Sequence, residues 1–336
     1  MRRGQSDLKI AIDAMGGDHS PKAQVEAAKL AAIQWPDTQF VLVGRPEAVQ
    51  PLLADGCPAN LAVREAAEVI ASDDEPVRAV RRKAGSSMVV AGRMVKEGEA
   101  DAMISAGNTG ALMATGLLIV GRLPDIERPG LAPMLPTLDN VGVLALDLGA
   151  NMDAKPEHLL QYAQMGSIYR QKVHGMAKPR VGLLNVGTEA AKGNELTKHA
   201  FDLFEAAPFH FVGNIEARDV LEGACDVLVC DGFSGNIMLK AFEGAAGSIF
   251  SLLKQELTSS WKAKLAAAIL KPSFRIVKKR MDYNEYNGAP LLGLNGLVVK
   301  GHGSSDAAAM MTAIRQTRTA LSGGLIEAIK GEFSGK

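Results

Sequence analysis

Residues Asp101–Gly110 read DAMISAGNTG. Apolar and small residues succeed one another without polar alternation, then stop at a turn made of glycine, asparagine and threonine. An uninterrupted apolar run is the mark of a strand covered on both faces. The turn after it opens a helix, with asparagine at a position that favours capping. The same order recurs along the chain. Strands are predicted at Lys9–Ala14, Gln39–Gly44, Asp101–Ser105, Val141–Asp147, Arg180–Val186, His210–Gly213, Asp226–Asp231 and Leu297–Lys300. Helices are predicted at Ser20–Gln34, which carries Pro21 at its start, and at Pro156–Val173, where Leu159, Leu160, Ala163, Ile168, Tyr169 and Val173 form a stripe. Strands alternating with helices predict the α/β class: a three-layer α/β/α sandwich with a largely parallel sheet. A single domain is expected over 8–325, in two lobes around a cleft, with the proline-rich Pro124–Pro136 as the crossing between them.

Composition narrows the function. The 336 residues are 47% hydrophobic, enough for a large core. Lys and Arg together number 37, as do Asp and Glu, so no global charge draws the chain to nucleic acid. With 35 glycines and only 5% aromatic residues, the sequence suits tight strand-to-helix turns and not base stacking. Cys57, Cys225 and Cys230 lack paired spacing, which argues against disulfides and zinc and for a reduced setting. No signal-peptide pattern is present, and no apolar run reaches the roughly 20 residues of a membrane span. The expected location is cytoplasmic, with peripheral attachment to the inner face of the cell membrane.

The functional signal lies in the loops after the strands. Lys9–Ala14 runs into Met15, Gly16, Gly17, Asp18, His19 and Ser20. Later strands run into Gly107-Asn108-Thr109-Gly110, Gly149-Ala150-Asn151, Gly187 through Lys192-Gly193-Asn194, Asn214, Gly232-Phe233-Ser234-Gly235-Asn236, and Gly301-His302-Gly303-Ser304-Ser305-Asp306. In a parallel sheet these loops gather at the carboxyl edge, where α/β sheets bind ligands. Helix amino termini there attract anions, and small residues let the backbone approach them. Each loop alone also reads as an ordinary turn and cap; the set together points to an anion cleft. Familiar motifs are missing. Met15-Gly16-Gly17-Asp18 lacks dinucleotide spacing, and Thr188 stands where a phosphate-binding loop needs lysine. Gly232-Phe233-Ser234-Gly235 has the wrong spacing for a nucleophile elbow.

Read in order, these loops resemble the phosphate acyltransferase family of bacterial phospholipid synthesis (the PlsX family). The matching stretches are Asp13–Asp18, Ile104–Met113, Leu146–Asn151, Leu184–Gly187 through Lys192-Gly193, Asp226–Asn236, Tyr286–Ala289 and His302-Gly303. The resemblance implies a fold similar to isocitrate/isopropylmalate dehydrogenases and phosphotransacetylases, a homodimer, and no nucleotide or other cofactor. It implies transfer of a long-chain fatty acyl group from acyl-carrier protein to inorganic phosphate. The acyl phosphate would pass to a membrane glycerol-3-phosphate acyltransferase.

Phosphate is already an anionic nucleophile, and a thiol with a pKa around 8.5 is a good leaving group. The protein must hold phosphate, orient the thioester and stabilise an oxyanion. Asn108, Thr109, Gly110, Gly303 and Ser304 are the expected phosphate ligands. Lys192 is expected to neutralise phosphate or the oxyanion, and Asp231 to orient His302 or take a proton. Ser234 and Asn236 are candidates for the thioester carbonyl, with Gly16, Gly17, Asp18, Asn151 and Asn194 in supporting positions. Cys230 reads as a small core residue, not a nucleophile. No metal site is expected.

The segment 258–281 is predicted as a basic amphipathic helical segment split by Pro272. It carries Lys262, Lys264, Lys271, Arg275, Lys278, Lys279 and Arg280 without an acidic residue, interleaved with Trp261, Leu265 and Ile269. Such a face suits an anionic membrane surface or an acidic carrier protein. Two other readings compete: a dehydrogenase of the same fold, disfavoured by the absent nucleotide fingerprint, and a non-enzymatic membrane-surface protein, which leaves the loops unexplained.

Overall fold

A computed structural model describes residues 8–281 and 287–334. Tyr286 of the matching stretches lies outside the described residues, as do the side chains of Lys278, Lys279 and Arg280.

The strands are β1 Leu8–Asp13, β2 Thr38–Gly44, β3 Leu61–Glu65, β4 Ala102–Ser105, β5 Gly130–Leu131, β6 Met134–Leu135, β7 Val143–Leu146, β8 Arg180–Asn185, β9 His210–Glu216, β10 Val227–Val229, β11 Ala289–Leu292 and β12 Leu297–Lys300. The helices are α1 Lys22–Gln34, α2 Pro46–Val49, α3 Pro76–Arg82, α4 Ser87–Lys96, α5 Thr109–Thr115, α6 Pro156–His174, α7 Glu195–Glu205, α8 Gly232–Thr258, α9 Trp261–Met281, α10 Ala307–Ser322 and α11 Leu325–Phe333.

Two sheets form instead of one. A seven-stranded sheet runs β3-β2-β1-β4-β12-β11-β5, and a five-stranded sheet runs β6-β7-β10-β8-β9. Pairing is parallel from β3 through β12 in the first and from β7 through β9 in the second. The antiparallel exceptions are β11 with its two neighbours and β6 with β7. The chain crosses from one sheet to the other between β5 and β6, across Ala132 and Pro133.

Uninterrupted apolar strands are buried on both faces, as a parallel sheet requires. On β1, Ile10 and Ile12 join a core with α1 and α10, while Ala11 faces the opposite core with Met88, Val89 and Ala91 of α4. On the second sheet, Leu144, Leu146, Val227 and Val229 pack with Tyr162 and Tyr169 of α6. Their neighbours Val143, Ala145 and Leu228 pack against Met238 of α8 on the other side. One apolar cluster runs from the first sheet through α1, α10 and α6 to the second, which fixes the two sheets against each other. Burying a side chain such as Phe40, fully inaccessible here, stabilises by roughly 1.5–3 kcal/mol.

The helix α8 departs from this pattern. Of its 27 residues only Gly232, Gly235 and Met238 are buried. Its continuation α9 packs against α8 and leaves Trp261, Leu265 and Ile269 exposed. The expected break at Pro272 does not occur: α9 continues through it. The proline removes one backbone donor on an exposed helix, and the flanking turns hold without it.

Candidate active site

Strands β1, β4 and β12 are neighbours and parallel, so the loops after them lie side by side at one carboxyl edge. These loops touch backbone to backbone. A Cβ on Gly16 would lie 2.7 Å from the Gly107 amide nitrogen, and one on Gly17 would lie 3.1 Å from the Gly303 carbonyl. Gly17 also has φ +103, a conformation that favours glycine. The Asp18 amide donates to the Gly303 carbonyl at 2.8 Å, and Gln24 Nε2 donates to the Gly16 carbonyl at 2.6 Å.

This floor forms one wall of a cavity of about 640 Å³. Gly17, Asp18, Gly107, Asn108, Thr109, Lys300, His302 and Gly303 make it polar. Apolar residues share the lining: Met113 of α5, Leu131, Pro133, Met134 and Leu135 at the crossing between sheets, Leu148 after β7, and Leu239 of α8. Asn236, Lys240 and Glu243 complete the rim from α8.

The sequence-predicted residues divide between this cavity and elsewhere. Asn108, Thr109, Gly303, His302, Asn236, Gly17 and Asp18 line it. Asn108 does so while serving as the cap of α5: its Oδ1 accepts from the Ala111 amide at 3.0 Å, and its Nδ2 donates to the carbonyls of Ser72 and Asp74. Gly110 packs against Pro76, and Gly16 lies beneath the floor. Ser304 is outside the lining, but its hydroxyl sits 2.8 Å from His302 Nδ1. The Ser304 amide donates to the same nitrogen at 3.3 Å, which makes Nδ1 an acceptor and leaves the imidazole proton on Nε2. Partial burial, then the charge of Lys300, pushes the His302 pKa below the usual histidine value.

The remaining residues lie along the carboxyl edge of the second sheet, outside the lining. Asp231 caps α8, accepting from the amides of Phe233 at 3.0 Å and Ser234 at 2.9 Å. Ser234 is exposed on the first turn of that helix. Asn151 donates to the Pro129 carbonyl at 2.9 Å and to the Tyr162 hydroxyl at 2.8 Å. Asn194 caps α7 by accepting from the Thr197 amide at 3.0 Å. Lys192 is exposed in the β8–α7 loop, whose carbonyl at Lys192 accepts from Asn185 Nδ2 at 3.2 Å. Strand β8 adjoins β10, so this loop stands next to the one that launches α8 and Asn236. Cys230 is buried, donates to the Asp147 carbonyl, and has its thiol pKa pushed well up by burial.

Sequence reasoning missed Lys300, the half-buried cation in the polar wall, and Asp13, a buried carboxylate at the end of β1. Asp13 accepts from the Ser105 hydroxyl at 2.6 Å and the Met15 amide at 3.1 Å, while burial raises its pKa. The signal was available: Asp13, Ser105 and Lys300 each end a largely apolar strand directly before a small-residue loop. Among the described residues no group of His, Cys, Asp and Glu has the arrangement of a metal site. No described helix is long and apolar enough to cross a membrane.

The model of the family described as "Fatty acid synthesis protein" matches residues 8–328. The phosphate acyltransferase of Halalkalibacterium halodurans is 60% identical over 309 residues, covering 92% of this chain and 91% of its own. That of Geobacillus thermodenitrificans is 57% identical over 326 residues, covering 97% and 99%. Among solved structures, a phosphotransacetylase from Streptococcus pyogenes superposes with a TM-score of 0.58 at 17% identity, covering 96% of this chain and 94% of that one. That likeness concerns the fold alone.

Proposed function

The chain belongs to the fatty acid synthesis protein family and is an acyltransferase that uses phosphate as acceptor; we propose that the transfer takes place in the cavity between the two sheets, with long-chain acyl-carrier protein as donor. The observation that carries this reading is the mixed lining of the cavity. Backbone amides, hydroxyls and a cation suit an oxyanion, and a group of apolar side chains in the same cavity suits a hydrocarbon chain.

In the reaction, a phosphate oxygen attacks the thioester carbon, the carbon–sulfur bond breaks, and the carrier leaves as thiolate. Phosphate is held against Asn108, Thr109 and Gly303, at the amino terminus of α5 and the loop after β12. Asn236 donates to the carbonyl oxygen as it becomes an oxyanion. Lys192 approaches from the adjoining loop of the second edge to neutralise the same charge. His302, neutral because its pKa is lowered, donates from Nε2 to a phosphate oxygen. Asp231 acts through the cap that fixes the start of α8 and so the position of Asn236.

Three further elements belong to this reading. The two sheets act as lobes of one domain. Exposed Phe233, Ile237, Ile249 and Leu252 along α8 suit a second copy of the chain in a homodimer. The exposed face of α9, with Trp261, Leu265 and Ile269 beside Lys262, Lys264 and Arg275, suits an anionic membrane surface at the inner face of the cell, where a membrane acyltransferase consumes the product. Incubating the protein with a long-chain acyl-carrier thioester and phosphate, then trapping with hydroxylamine, should give phosphate-dependent acyl hydroxamate. Hydroxamate formed from short acyl coenzyme A but not from the carrier thioester would overturn the choice of donor.

A further inference from the structure

Three neighbouring strands each end in a polar residue: Asp13 on β1, Ser105 on β4 and Lys300 on β12. Ser105 and Lys300 are register partners, and the Ser105 hydroxyl bonds Asp13, so the three form a row across the sheet at the base of the polar wall. A lysine at the end of a buried strand ordinarily reaches outward to solvent. Lys300 instead turns its ammonium back, donating to the carbonyls of Gly301 and, at 3.4 Å, Ala106. An ammonium carries three protons. Two are accounted for by these carbonyls, and Lys300 lines the cavity with Asn108, Thr109 and Gly303.

We propose that Lys300, anchored by the carbonyls of Ala106 and Gly301, binds the phosphate co-substrate directly through its ammonium. This rests on the reading of the cavity as the active site. The charged groups around Lys300 are Asp13 from β1, Asp18 from the β1–α1 loop and His302 from its own loop, while Lys240 and Glu243 of α8 act on His302 and line the same cavity. Burial disfavours the ammonium, while Asp13 and Asp18 favour it; burial dominates and brings the pKa down to about 8. The ammonium is therefore fully charged below that value and is lost as pH rises through it. Phosphate affinity should fall over the same interval, and a permanently charged guanidinium at this position should not show the fall.

The test measures KM for phosphate and kcat against pH in wild type, Lys300→Arg and Lys300→Met, with hydroxamate as the readout and thermal melting as the check on folding. Lys300→Met should raise KM for phosphate roughly 10- to 150-fold near neutrality, the loss of a hydrogen bond to a charged partner. Wild-type KM should climb above about pH 8, as the lowered lysine pKa requires. In Lys300→Arg the climb should be absent; the ionisation of phosphate itself is common to both enzymes and cancels in their ratio. If Lys300→Met does not fold, the profile of Lys300→Arg decides alone. A KM for phosphate in Lys300→Met within twofold of wild type, a climb above pH 8 retained in Lys300→Arg, or a rise confined to the KM of the carrier thioester would overturn the assignment, the last by placing Lys300 on the carrier's own phosphate ester. A wild type that forms no hydroxamate would instead defeat the proposed donor and site.

Discussion

The carboxyl edges of the two sheets are built from similar sequence and are arranged differently. At the first, the loops after β1, β4 and β12 press against one another through glycine backbones and leave amides, hydroxyls and Lys300 facing a shared space. At the second, the loops after β7, β8 and β10 turn their polar side chains inward on themselves. Asp147 accepts from the amides of Ala150 and Asn151, Asn194 caps α7, and Asp231 caps α8. A small-residue loop after a strand keeps backbone groups open to a shared space when its neighbours in the sheet crowd it, even where, as with Asn108, one side chain caps the following helix. Without that crowding its side chains serve its own helix and loop. The second edge reaches the cavity mainly through what it launches, the first turns of α8.

The contrast can be broken most sharply at Lys192, the exposed residue of the second edge assigned to the reaction. Lys192→Ala should lower kcat by about 10²–10³, the range for losing a donor to a developing oxyanion, with the melting temperature unchanged. Wild-type turnover would confine the chemistry to the first edge. Next in size is the apolar part of the lining. Leu239→Trp, on α8 and lining the cavity, should cut kcat/KM for long acyl chains about tenfold or more relative to short ones. An equal loss for every chain length would remove the hydrocarbon from that part.

A smaller effect separates cap from charge at Asp231. Asp231→Ala should cost about 1 kcal/mol of stability in denaturant unfolding and lower turnover with it, while Asp231→Asn, which still caps, should retain both. Loss of turnover in a stable Asp231→Asn would give the carboxylate a direct part in proton transfer. The smallest effect concerns the arm. Co-sedimentation with anionic liposomes should weaken as salt rises, and Lys262→Glu with Lys264→Glu should weaken it further. Carrier binding that weakens in the same variants, with lipid binding unchanged, would move the arm's role to the carrier.

Much of the fold could be read from the chain because its strands are apolar without interruption. Leu297–Lys300 matches β12 residue for residue, and Arg180–Val186 misses β8 by one. The short strands were not legible. Gly130–Leu131 and Met134–Leu135 have too few residues for any periodicity, and each exists only because a partner strand from elsewhere in the chain pairs with it. The division into two sheets is hidden for the same reason, since strand order is decided by distant pairings. At the site, sequence singled out loops and overlooked strand ends. Asn108, Thr109, His302 and Gly303 were visible as turn residues, whereas Lys300 was absorbed into the strand that ends with it. That the Lys192 and Asn194 loop belongs to the other edge could not be known without knowing that β8 lies beside β10.

Phosphate and acyl chain are expected to meet between the two edges. A crystal structure with a non-hydrolysable long-chain acyl phosphonate tests it directly. The phosphorus is predicted to lie among Asn108, Thr109, Lys300 and Gly303, with the chain running toward Met134 and Leu239. Phosphorus bound outside that cavity, or a chain lying along α9 with the cavity holding only water, would contradict it.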